Sequence, residues 1–179
     1  ITRFEIEGYE ADDLIGSIAK QSSVKNLKAY ILTGDKDDLQ LVDENINVLM
    51  PVTSKGLTTT LFYDVNAVKE KYGIMPSQFI DFKAVMGDPS DNIPGVKGIG
   101  EKGAIKLLQE YGTLDNIYKN TSNLPESISA KLIESQDMAF LSRKLATIKC
   151  DIPVEDYFEK IKSPEPDNDS IYNIFSKLG

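Results

Sequence analysis

The chain of 179 residues contains no histidine. That absence removes Ser-His-Asp hydrolysis, Cys-His nucleophilic pairs, His-based zinc sites and imidazole acid–base work together. Cysteine is nearly absent too. The single Cys150 excludes an internal disulfide framework and any multi-cysteine metal site, and a lone thiol is the usage expected of a reducing compartment, by default the cytoplasm. No apolar run approaches the length of a membrane span, and no charged-apolar-small leader opens the chain, so neither a membrane partner nor secretion is expected. Any chemistry must therefore come from carboxylates, lysines, hydroxyls or a bound ion.

Carboxylates are abundant. Acids number 28 against 20 bases, a formal charge of −8. Taken alone, that balance argues against a polyanionic partner. The acids are not spread evenly, however. Residues 1–91 carry 15 acids and 9 bases, and residues 92–179 carry 13 and 11. Seven acids of the first part fall in three tight groups: Glu10, Asp12 and Asp13; Asp35 and Asp37; Asp88 and Asp91. The surplus of negative charge is about the size of one clustered site.

The apolar pattern places these groups. Phe4 and Ile6 alternate with polar residues over 3–7, which predicts a short strand. Ala11, Leu14, Ile15 and Ile18 then follow the spacing of one buried helix face. The run Ala29-Tyr30-Ile31-Leu32 suits a parallel strand covered on both sides, and a short helix is expected around Leu39, Leu41 and Val42. Residues 46–50 and 57–63 read as a hairpin across 51–56. Asp64 is placed to cap a helix ending before Gly73, and Pro76 to open another running to Met86. Strand and helix alternating with short connectors predict an α/β fold with a parallel sheet over residues 1–86. From Gly87 the texture turns to Gly/Pro turns and then to helical periodicity near 101–111, 114–118, 127–148 and 171–178, with a linker at Pro164–Pro166. This defines a helical part over 87–179.

In that layout the first two acid groups sit at the carboxyl edge of the sheet, where open α/β folds place ligands. Acids also favour helix N-termini simply because they cap free N–H groups and complement the dipole. Capping needs one acid per helix, though, and five carboxylates close together repel unless cations neutralise them. An all-oxygen donor set suits a hard ion, Mg²⁺ or Mn²⁺, and paired ions of that kind clamp phosphodiesters. Asp88 and Asp91 stand in a Gly/Pro turn and are open to reading as turn-formers alone. Relief of repulsion predicts that Asp37→Ala leaves stability unchanged or raises it.

The Gly95-Val96-Lys97-Gly98-Ile99-Gly100 turn, running into Glu101 and Lys102, lacks both the GxxxxGK[ST] and GxGxxG frames. A glycine hairpin feeding a helix N-terminus, flanked by Lys97 and Lys102, suits a grip on a nucleic-acid backbone without base readout; a tight turn between helices is the plainer alternative.

Together, Gly8-Tyr9-Glu10-Ala11-Asp12-Asp13, Thr33-Gly34-Asp35-Lys36-Asp37 and the stretch from Met86-Gly87-Asp88-Pro89-Ser90-Asp91-Asn92 through Gly100-Glu101-Lys102 resemble, in order and spacing, the 5′ nuclease domain of bacterial DNA polymerase I. Flap endonucleases and phage 5′ exonucleases share that superfamily. The resemblance implies a PIN-like 5′ nuclease core lacking its N-terminal portion, followed by a helix-hairpin-helix subdomain. It assigns Glu10, Asp12, Asp13, Asp35, Asp37, Asp88 and Asp91 to a two-ion metal site. It assigns Gly95, Val96, Lys97, Gly98, Ile99, Gly100 and Lys102 to DNA binding, with K⁺ held by hairpin carbonyls, those of Val96 and Ile99. Gly103 departs from the threonine more usual in that position. The implied partners are duplex DNA with a 5′ flap, nick or RNA primer, and a polymerase domain on the same parent chain, working at the bacterial nucleoid. The chain opens at Ile1, and the resemblance implies a missing front part with two further metal-binding aspartates, one sheet strand and a helical arch. The expected activity is 5′→3′ exonuclease and flap endonuclease action for the parent and impaired or absent cleavage by the fragment. The alternatives are a non-catalytic duplex-binding module, expected to bind without cutting, and a PIN-like ribonuclease, which the glycine hairpin counts against.

Overall fold

The computed structural model describes residues 3–154 and 167–178. Its sheet has three strands in the order β1 (Ala29–Leu32), β2 (Ile46–Ser54), β3 (Leu57–Tyr63). β1 pairs in parallel with β2, Ile31 opposite Val48, while β2 and β3 form an antiparallel hairpin with Met50 opposite Leu61. The sheet is therefore mixed rather than wholly parallel. The hairpin turns at Lys55 and Gly56, both with positive φ (52° and 79°), the two-residue geometry that matches strand twist. It is tighter than the expected 51–56 loop. Pro51 lies inside β2, beyond the last residue that pairs with β1, where no ladder N–H is required on that side.

Two strand expectations are corrected. Residues 3–7 are not a strand: they form no regular element, and Ile6 instead packs on a small cluster of Leu14, Ile152 and Val154. Two alternating apolar residues cannot hold extended structure without a ladder partner. β1 is also not covered on both sides. Ile31 is buried, but Tyr30 and Leu32 are exposed, and β1 is an edge strand.

Helix α1 (Ala11–Val24) begins at Glu10, whose N–H donates to the Asp13 carboxylate at 3.3 Å. Its buried side carries Leu14, Gly16, Ser17 and Ala19, with Ala11 exposed. The segment 148–152 lies along it. A Cβ on Gly16 would come within 2.9 Å of both Cys150 Sγ and Ile148 Cγ2, so glycine permits the close approach. Ser17 Oγ accepts the Ile152 N–H at 3.1 Å, and Asp13 accepts the Lys149 N–H at 2.8 Å.

Asp64 caps α2 (Val65–Tyr72) by accepting the Ala67 N–H at 2.8 Å, and Gly73 ends it with φ 71°. Pro76 opens a single 3-10 turn that passes into α3 (Phe79–Met86). α3 is the central element. Phe79, Phe82, Ala84 and Val85 are buried among residues of the sheet and of α4 (Glu101–Tyr111), α5 (Leu114–Lys119), α6 (Glu126–Glu134) and α7 (Gln136–Ala146). The single helical stretch expected over 127–148 is two helices, broken at Ser135, whose N–H bonds back to the Lys131 and Leu132 carbonyls. α8 (Asn168–Leu178) turns Ile171, Ile174, Phe175 and Leu178 to solvent. The linker expected at Pro164–Pro166 lies outside the described residues. No helix among the described residues is long and apolar enough to cross a membrane.

Candidate metal centre and nucleic-acid interface

Three elements bring acids together. β1 ends at Leu32, the Thr33 N–H still bonding to the Leu49 carbonyl, and the chain then turns. The turn is closed by side chains: Thr33 Oγ1 accepts the Asp35 N–H at 3.0 Å, and Asp35 Oδ1 accepts the Asp37 N–H at 2.9 Å. Asp37 then starts a 3-10 turn, Asp37–Leu41. From the other side, α3 ends at Gly87, and residues 88–93 form a small loop in which Asp88 and Ile93 exchange both backbone hydrogen bonds at 2.8 Å. Asp88 Oδ1 accepts the Ser90 N–H at 2.9 Å. Close backbone contact also locks the loop to the end of α3. Gly95 has φ 63°, and a Cβ there would meet Gly87 N at 2.3 Å, so only glycine fits.

Carboxylate oxygens of Asp37, Asp88 and Asp91 all lie within 4.8 Å of one another. Lys83 stands between them, its side chain only 7% exposed. Its ammonium pairs with Asp37, reaches Asp88 Oδ2 at 2.5 Å and lies 3.9 Å from Asp91 Oδ2. Burial works to raise the Asp88 carboxyl, but hydrogen bonds from Lys83 and Ser90 and the Lys83 charge outweigh it and hold it at about 2. Asp91 is half exposed. Asp35, Asp37, Lys83, Asp88 and Asp91 line one hollow of about 490 Å³, with Glu101 of α4 also on its wall.

The first acid group is divided. Asp12 is raised by burial and then by the charges of Asp35, Glu10, Asp13 and Asp91, so it shares the field of the hollow. Glu10 precedes α1, and its charge acts on Asp12. Asp13 is committed to structure through the N–H groups of Glu10 and Lys149. The structure therefore collects Asp35, Asp37, Asp88 and Asp91 in one hollow, sets Asp12 within its electrostatic reach with Glu10 acting on Asp12, and gives Asp13 a capping and tethering role.

Two residues were missed by sequence reasoning. Lys83 is an isolated cation in the apolar stretch Phe82 to Met86, five residues before Asp88, and that isolation was a usable signal. Asp38 is fully buried, and neither of its oxygens makes a well-formed hydrogen bond among the described residues. Burial drives its carboxyl to about 6; the Thr33 hydroxyl pulls the other way, and Asp12 and Asp35 push it further up.

The glycine turn lies beyond the acid loop. Val96 and Ile99 bury their side chains in the core, and the Ile99 N–H bonds to the Val96 carbonyl at 3.1 Å. Gly95 is buried, its N–H on Ser142 Oγ at 3.0 Å. Lys97, Gly98, Gly100 and Lys102 are exposed. α4 starts directly after Gly100 with no side-chain cap, so its first N–H groups have no capping side chain.

The fold and the cluster define an α/β protein with an acidic, all-oxygen metal-binding centre. Residues 1–73 match the family described as the 5′-3′ exonuclease N-terminal resolvase-like domain, and residues 74–169 the 5′-3′ exonuclease C-terminal SAM fold. The chain belongs to the 5′-3′ exonuclease family. It is 49% identical to DNA polymerase I of Caldicellulosiruptor bescii over 97% of its length, and 41% identical to that of Bacillus subtilis over all of it. It spans about a fifth of those relatives, 20% of each. Among solved structures it is similar to T5 5′-exonuclease with divalent metal ions (zinc) bound, with TM-score 0.71 and 28% identity over 88% of this chain and 59% of that one. It is also similar to a bacteriophage T5 flap endonuclease in a pseudo-enzyme-product complex with DNA and metal ions, with TM-score 0.68 and 28% identity over 82% and 52%.

Proposed function

We propose that the chain is the metal-site and duplex-gripping part of a structure-specific 5′→3′ nuclease of the DNA polymerase I type, which removes RNA primers and 5′ flaps from duplex DNA at the bacterial nucleoid. The observation that carries this reading is the approach of Asp37, Asp88 and Asp91 around one cation, the Lys83 ammonium. A site that already holds positive charge among three carboxylates, with no nitrogen or sulfur donor, fits Mg²⁺ or Mn²⁺. Asp35, Asp37, Asp88 and Asp91 would hold the ions, with Glu10, Asp12 and Asp13 adding to the negative charge around them. When bound, the ions supply an activated water and stabilise the leaving oxygen.

The residues themselves perform the remaining tasks. Lys83 relieves repulsion among the acids and keeps Asp88 ionised. The PIN-like core over 1–86 supplies the carboxyl edge, and the helix-hairpin-helix part over 87–179 holds the duplex. The hairpin presents the Gly98 and Gly100 backbone with Lys97 and Lys102 to a phosphate, and the Val96 and Ile99 carbonyls take K⁺. None of these contacts requires a base edge, so binding is indifferent to sequence.

The test is a labelled 5′-flap duplex incubated with the intact protein that carries this chain, with and without Mn²⁺. The expected result is ion-dependent cleavage leaving 5′-phosphate ends, abolished in Asp37→Ala while duplex binding persists. Binding without cleavage by the intact protein at any ion concentration would show a duplex-binding module instead.

A further inference from the structure

We propose that Lys131, on α6, is a phosphate-binding residue of the glycine hairpin, although it lies 33 residues beyond Gly98 in the chain. The proposal rests on the reading of the hairpin as a duplex grip. The Lys131 ammonium donates to the carbonyl of Gly98 at 3.0 Å. Gly98 has φ 78°, and a Cβ on it would lie 3.3 Å from both Lys131 Cε and Nζ. The missing side chain thus both allows the left-handed turn and admits the lysine to the hairpin tip.

An ammonium carries three N–H donors and no acceptor. The Gly98 carbonyl engages one of them, and Lys131 makes no ion pair with an acid among the described residues. The remaining donors belong to an exposed residue. Lys131, Lys106, Gly98, Gly100 and Gly103 line one side of a hollow of about 400 Å³ whose other lining is largely apolar, and Glu110 is the only acid among the described residues that line it. A phosphodiester is an acceptor of single negative charge. It meets here a point charge already placed by a backbone bond, so less freedom is lost on binding than with a free lysine.

A purely mechanical role, tying α6 to the hairpin, is separable because it needs a donor but no charge. The experiment measures binding of a fluorescent 5′-flap duplex by anisotropy over a salt series, for the unsubstituted chain, Lys131→Gln and Lys131→Arg. Glutamine keeps an N–H for the Gly98 carbonyl and removes the charge. The expected result for Lys131→Gln is weaker binding and a log K against log salt slope shallower by about 0.9, the value for one lost phosphate contact. Lys131→Arg should restore the slope. Weaker binding with an unchanged slope, or unchanged binding, would overturn the role of Lys131 while leaving the hairpin reading standing. No salt-sensitive binding by the unsubstituted chain would overturn the hairpin reading and this proposal with it.

Discussion

Asp38 offers the sharpest quantitative consequence of the acid site. Its carboxyl is fully buried, makes no well-formed hydrogen bond among the described residues and sits near 6 instead of the usual 3.8. Below the unfolded value, both folded and unfolded chains carry the proton and no penalty exists. As pH rises from 3.8 the unfolded chain ionises first, so folding stability falls until pH passes about 6, and the full penalty is present above that. A displacement of that size corresponds to about 3 kcal/mol. Asp38→Asn removes the charge and keeps the shape. Its amide is still buried without a full set of partners, a cost of about 1–3 kcal/mol that does not vary with pH. The net effect at pH 8 is therefore a gain between zero and about 2 kcal/mol, and at pH 4 a loss. Urea unfolding of both proteins from pH 4 to pH 8 tests the shape of the difference. The stability of Asp38→Asn relative to the unsubstituted chain should climb through the interval from 4 to 6 and then level. A flat difference across that range would refute the assignment of an acid whose burial raises its pKa.

Other consequences concern the cation, the grip and the loop. Lys83→Met leaves Asp37 and Asp88 facing each other without positive charge, at a cost of about 3 kcal/mol; thermal melting with and without Mn²⁺ should show a larger ion-induced rise in the variant than in the unsubstituted chain. Asp37→Ala, expected from repulsion alone to be neutral or stabilising, instead breaks a nearly buried ion pair with Lys83, so its melting temperature should fall in the absence of divalent ions. Lys102→Ala should weaken duplex binding alike on unrelated sequences and lower the salt slope by about one; a sequence-selective loss would contradict a backbone grip. Gly95→Ala forces a Cβ to 2.3 Å from Gly87 N at φ 63°, and should destabilise by more than about 2 kcal/mol in chemical denaturation.

What could be seen in the sequence was what depends on neighbours along the chain. Asp64 and Gly73 bracket α2 because capping and left-handed termination are local events. The hairpin of β2 and β3 was visible for the same reason, although Lys55 at φ 52° hid the turn position. Residues 3–7 and the covering of β1 depended on partners distant in the chain, and an alternating or apolar pattern does not say whether those partners are present. The acid site divides along the same line. Asp88 and Asp91 could be grouped with Asp37 only through the resemblance, because no helical or strand period joins a loop to a sheet edge. Asp13 looked like its neighbours but is drawn away by the Lys149 N–H, 136 residues on. Lys83 shows why charge counting along a chain understates such a site. Seven clustered acids suggested a pocket that only metal ions could make tolerable, yet the folded chain brings its own cation to the centre of three of them. An ion entering this cluster must therefore compete with a tethered ammonium, which already offsets the repulsion among the acids.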